Sequence, residues 1–511
     1  MGNDYPNSRL YLCNVPFSKD YEHTIDFPNF TTQFDYFVSV SSKSYQNFSY
    51  IRETGTIQVD EYKESILNNN YLIFWNNDKW YFAFIDSIEY INNSCSEIFF
   101  TIDVFQTYLF NFRFVSCFVE REHVSDDTVG LHTVPENLET GERIYGNNAK
   151  YEMGNTGIVV MSNVDLKNYS DVAGVFYNGV YGGYKMYYYT GSLNLKDDIK
   201  NLAKEGKADA ILGLFMAPAR FIGGVKNNEI SESSTAISNN WNLGTKPTTL
   251  LGYQPKNNKL LVYPYNFLTL TNNQGSVNIL HFELFNTNDI QFKIYGSLTP
   301  GMSIRILPLN YKNISENNLE GINAGKFPTC SWNSDMYTNW LTQNSLNLQT
   351  NTISNILSSA GGVSGEGKNP QGQFMNSTGS FVTNSFSSIT NTLSEVYTKS
   401  FQPPVTSGNL NSGDVTFSSD KNTFDCFQTC IRPEYAKIID DYFTMYGYQV
   451  NDVKVPNVNT RPNWNYLKTT GTTVRANIPQ NHLDTLNSIF NKGITIWHSP
   501  NVIYNYNLNN K

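Results

Sequence analysis

The stretch "CFQTCIRPEYAKIIDDYFTMYGYQVNDVKV", Cys426 to Val455, decides how the C-terminal part of the chain folds. "CFQTCI" reads as a strand, and Pro433 follows with the fixed φ that suits the first turn of a helix. Tyr435, Ile438, Ile439, Tyr442, Phe443 and Tyr446 then recur at helical spacing as one apolar stripe, and Gly447 supplies the stop. "YQVNDVKV" and "YLKTTGTTVRA" continue as strands. A second helix opens at Pro479, buries Leu483, Leu486, Ile489 and Phe490, stops at Gly493, and leads into the strand "ITIWH". The predicted order is β-α-β-β-α-β.

Working outward, the N-terminal part gives the same order. Asp60 is placed to cap a helix carrying Tyr62 and Ile66, and "YLIFW", "KWYFAFIDSIEYI" and "CSEIFFTI" follow as strands. Asp103 and Gln106 form a variant capping box for a helix whose Phe105, Tyr108, Leu109 and Phe112 share a face. The strand "RFVSCFVERE" closes this part. Between the two lies a β-rich middle with alternating stretches such as "GMSIRIL", where Met302, Ile304 and Ile306 point one way and Ser303 and Arg305 the other. One helical island is expected there, over "DDIKNLAKEGKADAILGLFM". The fold class is therefore α+β, β-rich and multidomain. The expected division is 1–125, 126–335, 336–400 and 401–511.

Bulk properties agree. A chain of 511 residues has room for several cores, and its 34 Tyr and 33 Phe favour strands and broad contact surfaces. A net charge of -9 argues against a protein built to hold nucleic acid tightly. Cys13, Cys95, Cys117, Cys330, Cys426 and Cys430 are dispersed and read as buried free thiols. The start "MGNDYPNSRLYL" has neither a signal-peptide pattern nor a myristoylation site, which points to synthesis in the cytoplasm. No apolar run approaches the roughly 20 residues of a spanning helix.

The segment 336–400 is different in kind. From Met336 to Ser394 it carries only two charged residues, Glu366 and Lys368, in a chain that is 16% charged. Val382, Phe386, Ile389, Leu393 and Val396 make a narrow helical stripe. Trp340, Leu341, Leu348, Ile353, Ile356 and Leu357 make a looser one on the other side of a glycine-rich tip. Two helical arms with uncharged outer faces suit packing beside copies of themselves, or into a narrow lumen.

No constellation reads as an active site, and no cofactor is expected. "GVSGEG" has Glu366 where a nucleophile elbow needs glycine. The glycines of "YNGVYGGYKMYYYTG" do not fit a phosphate loop and read as a tyrosine-rich turn and strand. Glu120, Glu122, His123, Asp126 and Asp127 could gather round a divalent cation, but a solvated turn after a strand explains them more simply. His498 reads as a strand-end packing residue.

Three sets of motifs together resemble the tail knob, or distal tail tube, proteins of small short-tailed phages with protein-primed DNA that infect Gram-positive bacteria. They are "NVPFSKDY", "KWYFAFIDSIEY" and "IDVFQTYLFNFRFVSCFVEREHV" near the start; "YGSL" in the centre; and "YGYQVNDVKVPN", "NYLKTTGTTVRANIP" and "IFNKGITIWH" at the end. The resemblance implies a structural protein of the virion tail, not an enzyme. It implies a homo-hexameric tube, built from the terminal modules, through which the genome passes without tight binding. Collar, proximal-tail and appendage proteins are the implied partners. It also implies that the loop before the C-terminal module plugs the tube and engages the host envelope or membrane. By position that loop here comprises Ile353, Ile356, Leu357, Gly361, Gly362, Gly365, Gly367, Phe374, Met375, Phe381, Phe386, Ile389 and Leu393. Its Ser, Thr, Asn and Gly content departs from a strongly apolar loop and favours plugging over insertion. The alternatives are a cell-wall-degrading tail enzyme and a pore-forming protein.

Overall fold

The computed structural model describes residues 8–330 and 423–511, apart from breaks at 47, 52–54, 77, 155, 173–174, 178–179, 191, 223–224, 232–237, 274, 325–326 and 328. They form two compact units. The first takes residues up to Gly141, then Tyr253–Leu260, then Arg432–Lys511; the second takes Glu142–Gly252 and Leu261–Ile431. The chain thus passes from one unit to the other four times. The architecture is strand-rich and multidomain, as the alternating patterns and aromatic content predict.

The first unit contains a seven-stranded antiparallel sheet. Its order is Ser41–Gln46, Arg9–Cys13, Tyr71–Asn76, Lys79–Asn92, Cys95–Ile102, Thr56–Val59 and Ser49–Ile51. The two edge strands are neighbours in sequence, with only positions 47 and 48 between them, so their facing ends lie within about 11 Å. The sheet must therefore roll until its edges approach. Both faces are buried, which is why "YLIFW" is apolar without alternation. Leu72, Phe74, Ala83, Ile98 and Phe100 pack on one side; Tyr71, Ile73, Phe82 and Phe84 pack on the other with Phe37. Phe37 comes from the helix Phe30–Ser39, which the sequence reading leaves without an element; Asn29 caps it by accepting from the Thr32 amide at 2.9 Å.

The unit's second sheet has the order His23–Ile25, Ile494–Trp497, Trp464–Thr470, Cys117–Glu122 and Tyr448–Lys454, with the first pair parallel. It mixes strands from near both ends of the chain. The strand Thr423–Ile431, which heads the C-terminal order in sequence, lies instead in the second unit between Arg143–Glu152 and Asn266–Thr271. The physical reason is burial: seven of its nine side chains are buried, and Phe424 and Cys426 join the second unit's largest core.

Several local expectations need adjustment. Lys63–Ile66 is capped by Tyr62 without a side-chain bond, so Asp60 does not cap it. Asp103 does cap Val104–Tyr108, but the Gln106 side chain does not reach back; it donates to Thr24 and Ile25. "RFVSCFVERE" is two strands, Phe112–Phe114 and Cys117–Glu122. Cys13, Cys117, Cys426 and Cys430 are buried free thiols, whereas Cys95 is half-buried.

In the second unit a six-stranded sheet centres on Lys185–Tyr189, Thr156–Ser162 and Ile211–Pro218. Its tyrosines alternate between two cores: Tyr188 joins one, and Tyr187 and Tyr189 the other. The expected helical island is a helix only over Ser192–Lys204. Gly206 at φ 70 ends the turn, and "ILGLFMAP" is a strand. Its continuous apolar run is needed because both of its faces are covered. A five-stranded sheet contains Ile304–Tyr311, whose Ile304 and Ile306 are fully buried. Met302, just before it, is buried as well, as the alternation of "GMSIRIL" predicts.

The helix Pro433–Tyr446 of the first unit ends at Gly447, whose φ of 65° and ψ of -153° lie in a region open essentially to glycine alone. A Cβ there would stand 2.1 Å from the Glu122 carbonyl oxygen. We predict that Gly447→Ala lowers stability by about 3 kcal/mol or more, from backbone strain plus displacement of the Cys117–Glu122 strand; denaturant unfolding checks it.

Candidate functional site: a buried polar interlock in the first unit

The helix Pro433–Tyr446 buries Ala436, Ile439, Asp440 and Phe443, while Tyr435 and Ile438 are exposed. Its core face is thus rotated from the expected tyrosine stripe, and a carboxylate sits in the middle of it. Asp440 is fully buried. One of its oxygens accepts from the Tyr253 hydroxyl at 2.8 Å and the Lys256 amide at 2.6 Å. The other accepts from the Asn257 amide at 2.9 Å and the Asn257 side chain at 2.8 Å. Asn257 also donates to the Asp440 carbonyl and the Thr444 hydroxyl. Ionised carboxylates satisfied by several donors can be buried; unsatisfied ones cannot. Asp440 thereby fixes the short return segment Tyr253–Leu260 to the helix.

Two further anchors hold the same segment. Glu136 is buried between Arg121 and Lys259, ion-paired to both, and also accepts from the Gln449 amide at 2.8 Å. Arg121 donates to the Gly447 carbonyl at 2.7 Å. Burial pulls the Lys259 ammonium below its ordinary range, and Glu136 opposes that pull. Asp127 accepts from the Tyr448 hydroxyl at 2.5 Å, the Asn258 amide at 3.1 Å and Lys511 at 2.8 Å.

This arrangement corrects the reading of "EREHVSDD" as a solvated turn, except at Ser125 and Asp126, which are exposed. Glu120 pairs with Lys468 at 2.7 Å, Glu122 with Lys454, Asp126 with Thr128, and Asp127 as above. His123 is buried, its Nδ1 accepting from the Tyr466 amide at 2.8 Å, so Nε2 carries the proton and donates to the Thr444 carbonyl. Burial first, then the charges of Arg461 and Arg121, push its pKa from 6.5 down to about 3. Among the described residues no group of three metal-binding side chains lies together. Each carboxylate of this cluster has a protein partner, although the second oxygen of Glu122 is buried without a donor. His498 ends its strand hydrogen-bonded to Asn465 at 2.9 Å.

A second buried acid, Asp103, accepts from the Gln106 amide at 3.1 Å and the Tyr71 hydroxyl at 2.8 Å, and burial pushes its pKa up to about 6. The loop positions Ile353, Ile356, Leu357, Gly361, Gly362, Gly365, Gly367, Phe374, Met375, Phe381, Phe386, Ile389 and Leu393 lie outside the described residues. The sequence reading missed Tyr253, Lys256, Asn257, Lys259 and Glu136. The signal that could have found them is Asp440, a charge within an otherwise apolar helical face.

Two outcomes follow from the interlock. Asp440→Ala leaves buried donors unmatched and lowers stability by about 3 kcal/mol or more, with Asp440→Asn intermediate; denaturant titration and protease cleavage within 253–260 report it. His123 is neutral when folded and titrates near 6.5 when unfolded. Its stabilisation is complete above pH 6.5 and is lost as pH falls from there toward 3, by on the order of 1.4 kcal/mol per pH unit. Asp103 has the opposite sign, its contribution being lost as pH rises through about 6. The test is therefore the difference between the wild-type protein and His123→Gln, which should show a flatter acid limb between pH 6.5 and 4.

Comparison with known proteins bears on what this unit belongs to. Residues 225–511 match the family described as Bacillus phage phi29, tail knob protein gp9, C-terminal domain. Residues 7–113, which carry the seven-stranded sheet, match the N-terminus of caudoviral major tail proteins. The chain is 25% identical to tail knob protein gp9 of Bacillus phage PZA and 24% identical to that of Bacillus phage phi29, in each case over 98% of both chains. In fold it is similar to the bacteriophage C1 tail knob protein gp12, with a TM-score of 0.67 and 16% identity over 98% of this chain and 99% of that one. These relatives are named as structural components, not enzymes. With more than half of its length matched by the family and nearly all of it by the individual relatives, the chain belongs to the tail knob protein family of short-tailed phages and is a structural protein of the virion tail.

Proposed function

We propose that six copies of the chain close into a ring whose channel passes the genome during ejection, with the segment 336–400 occupying that channel beforehand. The observation that carries the reading is the match of residues 7–113, coextensive with the rolled seven-stranded sheet, to the N-terminus of caudoviral major tail proteins. The edge strands of that sheet offer backbone donors and acceptors to a neighbouring copy, and a closed ring leaves none of them bare. The tube-forming parts in this reading are 1–125 and 401–511, less the strand Thr423–Ile431, together with the segments around Glu136 and Tyr253–Leu260 that lock into the first unit.

Charge supports conduction. A chain of net charge -9 does not neutralise phosphates, so DNA slides past it without being held. A plug with two charges between Met336 and Ser394 interacts weakly with that DNA and with the wall. Its stripes, Ile353, Ile356 and Leu357 on one arm and Phe386, Ile389 and Leu393 on the other, pack against neighbouring copies around the glycine tip Gly361, Gly362, Gly365 and Gly367, with Phe374, Met375 and Phe381 beyond it. The partners are the other tail proteins above the knob. Contact of the tip with the host membrane is a second role; among the described residues no helix is long and apolar enough to cross one.

Mass measurement and electron microscopy of the purified chain should give six-membered rings with a central hole. Deleting residues 346–394 should leave the rings intact while impairing genome retention or delivery in phage carrying the deletion. A strictly monomeric mass at micromolar concentration rejects the ring. Normal retention and ejection in the deletion phage rejects the plug.

A further inference from the structure

A cleft of about 300 Å³ in the first unit is lined by His123, Lys256, Thr444, Arg461 and the segment from Asn507 to Lys511. Its distinguishing feature is Arg461. The guanidinium is always charged, its Nε is buried, and that nitrogen has no hydrogen-bond partner. Among the described residues no carboxylate forms an ion pair with Arg461, although the other cations of the cleft are matched: Lys256 holds Asp441 at 2.9 Å and Lys511 holds Asp127 at 2.8 Å.

Three acceptors of the lining are already taken. The Thr444 carbonyl receives His123 and Trp464; the Asn509 carbonyl receives Asn463; the Asn510 side-chain oxygen receives the Asn463 and Trp464 amides. What remains unspent is the Arg461 guanidinium, with which no carboxylate among the described residues pairs, and the further hydrogens of two lysine ammoniums that each hold one carboxylate. A buried charged donor without an acceptor is unfavourable, and a group that brings acceptors and negative charge relieves it.

We propose that this cleft is an oxyanion site, taking a phosphate or carboxylate group with Arg461 as its principal donor and Lys256 and Lys511 beside it. The volume lies at the small end of the range for ligand sites, about 300–1,000 Å³, which suits one oxyanion and its water rather than a larger ligand. His123 on the floor is held neutral with its one proton directed at Thr444, so it contributes neither charge nor donor and the group's partners are Arg461 and the two lysines. The C-terminal segment is fixed independently, through Asn510 on Trp464, so the cleft is formed before any ligand arrives.

The site stands apart from the ring and plug readings and is tested on the intact purified chain. Inorganic phosphate and acetate are titrated separately by calorimetry and by thermal unfolding, against sodium chloride at matched ionic strength. Saturable binding of either oxyanion with a raised unfolding temperature, weakened about tenfold or more in Arg461→Gln and in part retained in Arg461→Lys, supports the site. Which oxyanion binds names the source of the group. Absence of saturable binding to the wild-type chain, an equal shift with chloride, or unchanged binding in Arg461→Gln overturns it. Should Arg461→Gln fail to fold by circular dichroism, the wild-type titration and Arg461→Lys decide, and affinity unchanged in Arg461→Lys counts against a guanidinium-directed site.

Discussion

The Asp440 carboxylate, dry and surrounded by donors from Tyr253, Lys256 and Asn257, is the constraint on which the connectivity of the chain depends. The chain leaves the first unit after Gly141, comes back for Tyr253–Leu260 alone, leaves again, and returns for good at Arg432. So short a return has little apolar surface with which to hold itself in place. Polar burial does the work: Asp440, Glu136 and Asp127 each take donors from the segment, and each is matched well enough to remain inside. Once that segment is fixed, the first excursion has a fixed end and the second a fixed start.

The same logic explains why residues far apart in sequence share one sheet. His23–Ile25 pairs with Ile494–Trp497, and Cys117–Glu122 lies between Trp464–Thr470 and Tyr448–Lys454. Trp464 and Trp497, both fully buried with ring centroids 5.1 Å apart, fill the space beneath it. The second unit is inserted into this frame and has a large core of its own.

Much of this was legible in the sequence. The alternation of "GMSIRIL", the stops at Gly447 and Gly493, and the Asp103 cap each follow from local chemistry, and local chemistry is what a sequence displays. The motifs at the two ends carried the family. What was not legible was long-range. The strand Thr423–Ile431 looked like part of the C-terminal order, because strand pairing is decided by which surfaces are free to cover it and not by proximity along the chain. "ILGLFM" reads as the end of a helix in the sequence because a short apolar run has no period of its own. The acids of "EREHVSDD" looked solvated because their partners, Lys468, Lys454 and Asn258, lie more than a hundred residues away. Asp440 does not stand out in the sequence because neighbouring tyrosines form a more conspicuous stripe.

Tyr253–Leu260 is a locked part of the first unit, held through Asp440. Native-state hydrogen exchange on the intact chain tests it most directly, through the amides of Lys256 and Asn257 that point at that carboxylate. The account predicts that these two amides exchange as slowly as those of the Trp464–Thr470 strand and open together with it. Exchange at the rate of an exposed loop, while that strand stays protected, would contradict it.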